Sequence, residues 1–160
     1  MEFKEIEDFV GQICRDISGS YDFSLVVLLD GRVFGIGGNW HCKLGFPEKV
    51  RSVSTFTEID SLKEYKIVAA FAGSCHSIFK TSDGRMIVCG FNGNGQLFIE
   101  PKEIIFPPEE VKICHGFSFC IAADLSSVAF VGVDPPQNIS NKKNHRNWCK
   151  SWWIKFQKSI

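Results

Sequence analysis

The chain has 160 residues, 44% of them hydrophobic and 22% charged, with 18 basic against 18 acidic side chains and a formal net charge of zero. That much apolar material fills one domain of ordinary size, and the even charge gives no field to draw in nucleic acid or an anionic membrane surface. No apolar run approaches the roughly 20 residues that span a bilayer. The N-terminus, acidic at Glu2, Glu5, Glu7 and Asp8, is unlike a signal peptide, so an intracellular protein is expected, cytoplasmic sooner than nuclear. Seven scattered cysteines suit free thiols in a reducing compartment better than a disulfide framework, which leaves the Asn138-Ile139-Ser140 sequon unused.

In chain order, residues 1–17 place Ile6, Phe9, Val10, Ile13 and Ile17 on one face at helical spacing, with acids in the first turns. This predicts a short amphipathic N-terminal helix, with an outer strand of a sheet as the competing reading. Leu25–Asn39 then reads as two apolar runs folded back at Asp30-Gly31, and residues 46–66 as a variable connection whose strand residues are Val50, Val53 and Phe56. Ile67–Leu97 is the clearest stretch: an incoming strand from Ile67 to Phe71, two apolar runs about Ser82-Asp83-Gly84, and the turn cluster Asn92-Gly93-Asn94-Gly95. Asp-Gly between apolar runs is a strong hairpin signal, because glycine accepts the positive φ of a tight turn. Pro101 to Pro108 is expected as an extended link before Val111-Lys112-Ile113 returns to the sheet. Past Gly132 the pattern stops: Asp134-Pro135-Pro136 breaks the strand and the asparagine-rich residues 137–147 disfavour regular structure.

Leu25–Asn39 maps onto Ile78–Asn92 at one constant offset, with Asp30-Gly31 on Asp83-Gly84, Gly37 on Gly90 and Asn39 on Asn92. A third, degraded copy runs from Gly116, matching Gly73, to Gly132, matching Gly90, and has lost both the Asp-Gly turn and the glycine loop. Periods of roughly 50 residues with several short strands each point to propeller blades, because one blade cannot bury both of its faces alone.

Gly73-Ser74-Cys75-His76-Ser77, Asp83-Gly84-Arg85 and Gly90-Phe91-Asn92-Gly93-Asn94-Gly95-Gln96-Leu97 resemble the repeat of the regulator of chromosome condensation family, whose blades read Gly-x-x-His-Ser/Thr, Asp-Gly, Trp-Gly-x-Asn and Gly-Gln-Leu-Gly. The middle repeat departs at Cys89, where Trp is usual, and at Phe98, where the last Gly is usual. The first has Phe23 for the His, Ile36 for the Trp and Cys42-Lys43 for Gly-Gln, while keeping Leu44-Gly45; the third has Phe119 at the His position. The resemblance implies an all-β fold of propeller blades. The structural signature it carries over is Gly73, His76, Asp83, Gly84, Gly90, Asn92, Gly95 and Gln96 in the middle repeat, and Asp30, Gly31, Gly37, Asn39 and Gly45 in the first. His76 is then expected to lock blade geometry through hydrogen bonds to nearby backbone.

The expected division is an N-terminal segment over 1–17, blades over 18–60, 61–110 and, in part, 111–133, and a polar linker with a basic, aromatic tail over 134–160. Members of the family close a ring of seven such blades, and this length has room for about three, an incomplete ring. Terminal blade faces then carry strand residues such as Val26, Leu28, Ile87 and Ile121 that are meant to be covered. The cover is a terminal segment, a second copy or a partner protein, unless the chain is part of a longer propeller. The tail bears on this: Trp148, Trp152 and Trp153 lie among lysines and arginine, with Trp148, Trp152 and Phe156 on one stripe if helical. These three tryptophans are candidate partner contacts, although packing on the last blade is the favoured reading.

The His/Cys neighbours His41-Cys42, Cys75-His76, Cys114-His115 and His145/Cys149 lack the tight paired spacing of a structural zinc site, and Cys75 and His76, adjacent in a strand, face opposite ways. The glycines of 90–95 lack the lysine and serine of a phosphate loop, and Asp30 and Asp83 belong to turns. No catalytic residue, cofactor or metal is therefore expected. The reading that follows is a protein-interaction scaffold without chemistry of its own, bound to an unknown protein partner, with self-association through bare blade faces as one route. The alternative, implied by the resemblance because the founding member acts on Ran, is guanine-nucleotide exchange on a Ran-like small GTPase.

Overall fold

The computed structural model describes residues 9–112 with their side chains and, beyond them, the backbone of strands at 117–123, 126–131 and 154–157. Three antiparallel sheets follow one another along the chain. The first is β1 (Cys14–Gly19), β2 (Phe23–Leu28), β3 (Val33–Gly38) and β4 (Ser52–Glu58), in that spatial order. The second repeats the arrangement with β5 (Ile67–Ala72), β6 (His76–Thr81), β7 (Met86–Asn92) and β8 (Lys102–Glu110). The third pairs β9 (Phe117–Ala123) with β10 (Ser126–Val131), and β10 with β11 (Ile154–Gln157).

The duplicated hairpins share register as well as sequence. Phe23 pairs with Gly37, Leu25 with Gly35 and Val27 with Val33; at the matching positions His76 pairs with Gly90, Ile78 with Val88 and Lys80 with Met86. Their turns match too. Leu28 N–H donates to Arg32 and Thr81 N–H to Arg85, each enclosing a three-residue loop that ends in glycine, Gly31 at φ 98° and Gly84 at φ 83°. Asp30 accepts from the Arg32 amide and guanidinium, and those bonds hold its carboxyl below the usual range.

The sheets stack head to tail. Leu25, Val27 and Val33 of the first meet Phe79, Ile87 and Cys89 of the second in one buried core, which Leu44, Ile59 and Leu62 extend. The opposite side of the second sheet, Ile78, Met86 and Val88, is buried with Leu97, Phe98, Ile105 and Val111. On the first sheet the positions matching Phe79 and Ile87 are Val26 and Phe34, so that face points away from the second sheet. Phe9 packs edge-on there, 5.3 Å from the Phe34 ring and 5.0 Å from Phe56, and Val26 and Leu28 are buried.

Three expectations need correction. Cys14–Gly19 is strand β1 and not the end of a helix, and Val10, Ile13 and Ile17 are all exposed instead of forming a buried stripe. β1 is held by its ladder to β2 and by side chains that reach β5: Asp16 Oδ2 accepts from the Ala70 amide at 2.9 Å and Ser18 Oγ from the Ala72 amide at 2.9 Å. Such partners outweigh a weak helical pattern, and residues 1–8 lie outside the described residues. Secondly, Lys102–Glu110 is the outer strand of its sheet and not a link. It tolerates Pro107 and Pro108 because an edge strand needs only half of its amides, and the irregular register between Gly90–Ile105 and Val88–Glu109 absorbs both rings. Finally, residues 154–157 are a strand, so no helical stripe reaches Phe156. Trp148, Trp152 and Trp153, like Ile121 and Phe119 as side chains, are outside what the structure describes. Of the connection over 46–66, Val53 and Phe56 sit in β4 while Val50 precedes it.

Candidate interaction face at the junction of the first two blades

Because neighbouring strands alternate in direction, the loops sort to two ends. Residues 20–22, 39–51, 73–75 and 93–101 crowd one end, and the hairpin turns at Asp30 and Asp83 lie at the other. At the first end each long loop is organised by one buried asparagine. Asn39 Nδ2 donates to the carbonyls of Phe46, Pro47 and Val50 at 3.1, 3.3 and 2.7 Å, and its Oδ1 accepts from the Leu44 amide at 3.0 Å. Asn92 does the same for its own loop, donating to Glu100 O at 3.0 Å and accepting from Leu97 N at 2.9 Å. An amide side chain is needed here because it alone offers two donors and an acceptor without charge. Asn39→Ala is expected to lower stability by about 2 kcal/mol through orphaned buried carbonyls, read as a shift in the urea midpoint with an unchanged slope.

Beside the asparagines the chain crosses itself closely. Gly37 and Gly90 both have φ 106°, and both lie against the entry to the preceding strand, Asp22-Phe23 and Cys75-His76. The His76 ring is fully buried over Gly73, and burial pulls its pKa down to about 4, so it is neutral at physiological pH. Gly45 and Gly95 are left-handed at φ 79° and 70°, as their loops require, whereas Phe98 and Cys42 hold the matching positions in the other copy at φ 62° and 60°. Gln96 is buried and accepts from the Asn94 amide. Burial pushes the Cys42 and Cys89 thiols up, which makes these two poor nucleophiles, and Cys89 Sγ donates to the Lys43 carbonyl at 3.4 Å.

One departure of the first copy from the second, Lys43, lines a groove of about 400 Å³ together with Tyr21, Asp22, Trp40, His41, Ser74 and Cys75. Lys43, standing where the second copy has Gln96, is 3% exposed. Its ammonium donates to Asp22 Oδ1 at 2.5 Å and Ser74 O at 3.2 Å, and sits 4.9 Å above the ring of Phe23, which replaces the histidine. It thus ties blade 1 to blade 2. Its own carbonyl accepts from Ser77 Oγ at 2.6 Å. Around the buried Lys43 the rim is aromatic and open: Tyr21 is 97% exposed and Trp40 56%, with the Arg51 guanidinium 5.2 Å over the Trp40 ring and His41 5.3 Å from Phe91. Tyr21 and Trp40 thus stand open to solvent beside the cleft.

Tyr21, Asp22, Trp40 and Lys43 were not singled out from sequence. The one signal pointing to them was the Cys42-Lys43 and Phe23 departures, which spacing alone reads as decay of the repeat. The signature residues that were singled out occupy turns, crossings and loop cores, and they position this face without forming it.

Residues 67–96 match the family model of the Regulator of chromosome condensation (RCC1) repeat. The chain is 28% identical over 137 residues to the Secretion-regulating guanine nucleotide exchange factor of Bos taurus, an alignment that takes in 79% of this chain and 29% of that protein. Among solved structures, human WBSCR16 superposes with a TM-score of 0.66 at 12% identity, over 74% of this chain and 31% of that one. Prp20p from Saccharomyces cerevisiae superposes at 0.64 with 20% identity, again over 74% and 31%. The chain therefore spans about a third or less of the length of these relatives. At such identities the superpositions speak to the fold, and the sheets described above are blades of that propeller. With its middle repeat matched in sequence and its stacked sheets matched in fold, this chain carries an RCC1 repeat over residues 67–96 and resembles the RCC1-type propeller proteins in fold.

Proposed function

We propose that this chain is a protein-interaction scaffold, without chemistry of its own, that presents the junction of its first two blades to a small GTPase. The observation that carries the reading is the pair of exposed aromatics, Tyr21 and Trp40, standing over a groove whose floor is the buried Lys43 ammonium, paired with Asp22 of its own blade and donating to Ser74 O of the next. Rigid aromatic anchors around a polar centre are what binding hot spots are made of. A GTPase is the partner of choice because the bovine relative is named for guanine nucleotide exchange, and the yeast structure is described with binding to Gsp1p and histones. The same name favours a second reading, exchange itself.

Titration calorimetry with a Ran-like GTPase in its GDP form tests both. Tyr21→Ala with Trp40→Ala is expected to weaken binding at least about tenfold while leaving the circular dichroism spectrum unchanged, since neither ring is buried. The scaffold reading predicts that release of labelled GDP stays at its spontaneous rate, and acceleration by the unaltered chain would replace it with exchange.

A further inference from the structure

We propose that the groove between the loops of the first two blades recognises a carboxylate side chain of the partner protein, with Lys43 and Arg51 as its charge partners and Tyr21 and Trp40 as its walls. The inference deepens the binding role above and rests on it for the existence of a partner.

Charge is the first argument. An ammonium has three donors, and among the described residues Lys43 places two of them on oxygen acceptors, Asp22 Oδ1 and Ser74 O, with the Phe23 ring, a weaker partner, 4.9 Å from the nitrogen. Its side chain is only 4% exposed and lines the groove, so bulk water serves the third donor poorly and an acceptor entering the groove would complete the set. Arg51 lies over Trp40 and joins no ion pair among the described residues. Asp22 is already engaged by Lys43, and exposed Glu48 is offset by its neighbour Lys49. Within the loops that line the groove, 20–22, 39–51 and 73–75, this leaves one net positive charge, on Arg51, which a carboxylate complements.

A second argument comes from the duplication. The equivalent loop of the second blade folds with neutral Gln96, so the fold does not require a lysine at this position. That loop has a glycine where the first has Cys42 at φ 60°, and the first adds His41 at φ 59° directly before it. Two successive left-handed residues with side chains are strained, and this strain sits in the segment that holds Trp40 outward. Both oddities of the loop, the buried charge and the strained turn, serve one feature: an aromatic wall beside an unsaturated ammonium.

The test is an amide-proton NMR titration of the labelled full chain with two capped tripeptides, acetyl-leucyl-glutamyl-leucinamide and its glutaminyl counterpart. The glutamyl peptide is expected to shift the Trp40 indole and the amides of residues 40–43 and 74–75, binding on the order of millimolar and at least about tenfold tighter than the glutaminyl one. The preference should shrink as salt is raised. Lys43→Gln, which installs the residue of the second blade, is expected to keep the dispersed spectrum and abolish the preference, and Arg51→Gln to reduce it. Equal binding of the two peptides, shifts outside the groove, no shifts with either, or a preference that survives Lys43→Gln would each overturn the proposal. GTPase binding that needs Tyr21 and Trp40 but comes with no glutamyl preference would overturn carboxylate recognition alone. A glutamyl preference without GTPase binding would instead remove the choice of partner.

Discussion

Gly37→Ala is expected to destabilise the protein by at least about 4 kcal/mol, a large share of the roughly 5–15 kcal/mol that holds a domain of this kind together. Gly90→Ala should do the same. Both glycines sit at φ 106°, where a side chain by itself is disfavoured by about 1–2 kcal/mol. A β-carbon at 37 would also lie 2.2 Å from the Asp22 carbonyl oxygen and 2.7 Å from Phe23 Cα; at 90 it would lie 2.6 Å from both the Cys75 oxygen and His76 Cα. These are main-chain atoms locked by ladder bonds, so no rotamer change relieves the contact. Gly11→Ala separates the two effects, since φ there is 76° but open space surrounds the position, and a loss of only about 1 kcal/mol is expected. Thermal unfolding followed by circular dichroism reads all three, and a Gly37→Ala midpoint close to that of Gly11→Ala would show that the blade entry yields.

The second large effect depends on pH. The imidazole of His76 is fully buried and its pKa is lowered from 6.5 to about 4 by desolvation, whereas in the unfolded chain it returns to the ordinary value. Between these values the unfolded state takes up a proton that the folded state refuses. Stability is therefore complete above the unfolded pKa and falls as the pH drops from about 6.5 towards 4, by on the order of 3 kcal/mol in all. His76→Phe, the residue that the first copy carries at Phe23, should flatten that part of the stability curve. Urea unfolding across this pH window checks it, and an equal slope in both proteins would place the acid sensitivity elsewhere.

How much of this could be read from the residues differs between fold and site. The hairpins could be read, down to register, because Asp30-Gly31 and Asp83-Gly84 specify their turns within a few positions, and Gly37 and Gly90 mark the same crossing. The role of Asn39 and Asn92 was visible as recurrence, though not as the hydrogen-bond hub that it is. Strand β1 was misread because its apolar spacing is compatible with a helix; the partners that decide otherwise, the amides of Ala70 and Ala72, lie more than fifty positions away. β8 was missed because two prolines argue against a strand unless it is known to be an edge.

What the sequence determined by itself was the repeating blade, since turn glycines, turn aspartates and alternating apolar residues act on the backbone within a short span. Only the tertiary structure decided where the proposed interaction face lies. Stacking blade 1 on blade 2 brings Lys43, paired with Asp22 of its own blade, under the Ser74 carbonyl, buries the ammonium, and leaves Tyr21 and Trp40 outside. Burial and exposure of this kind depend on which distant residues become neighbours, and spacing along a chain carries no record of that.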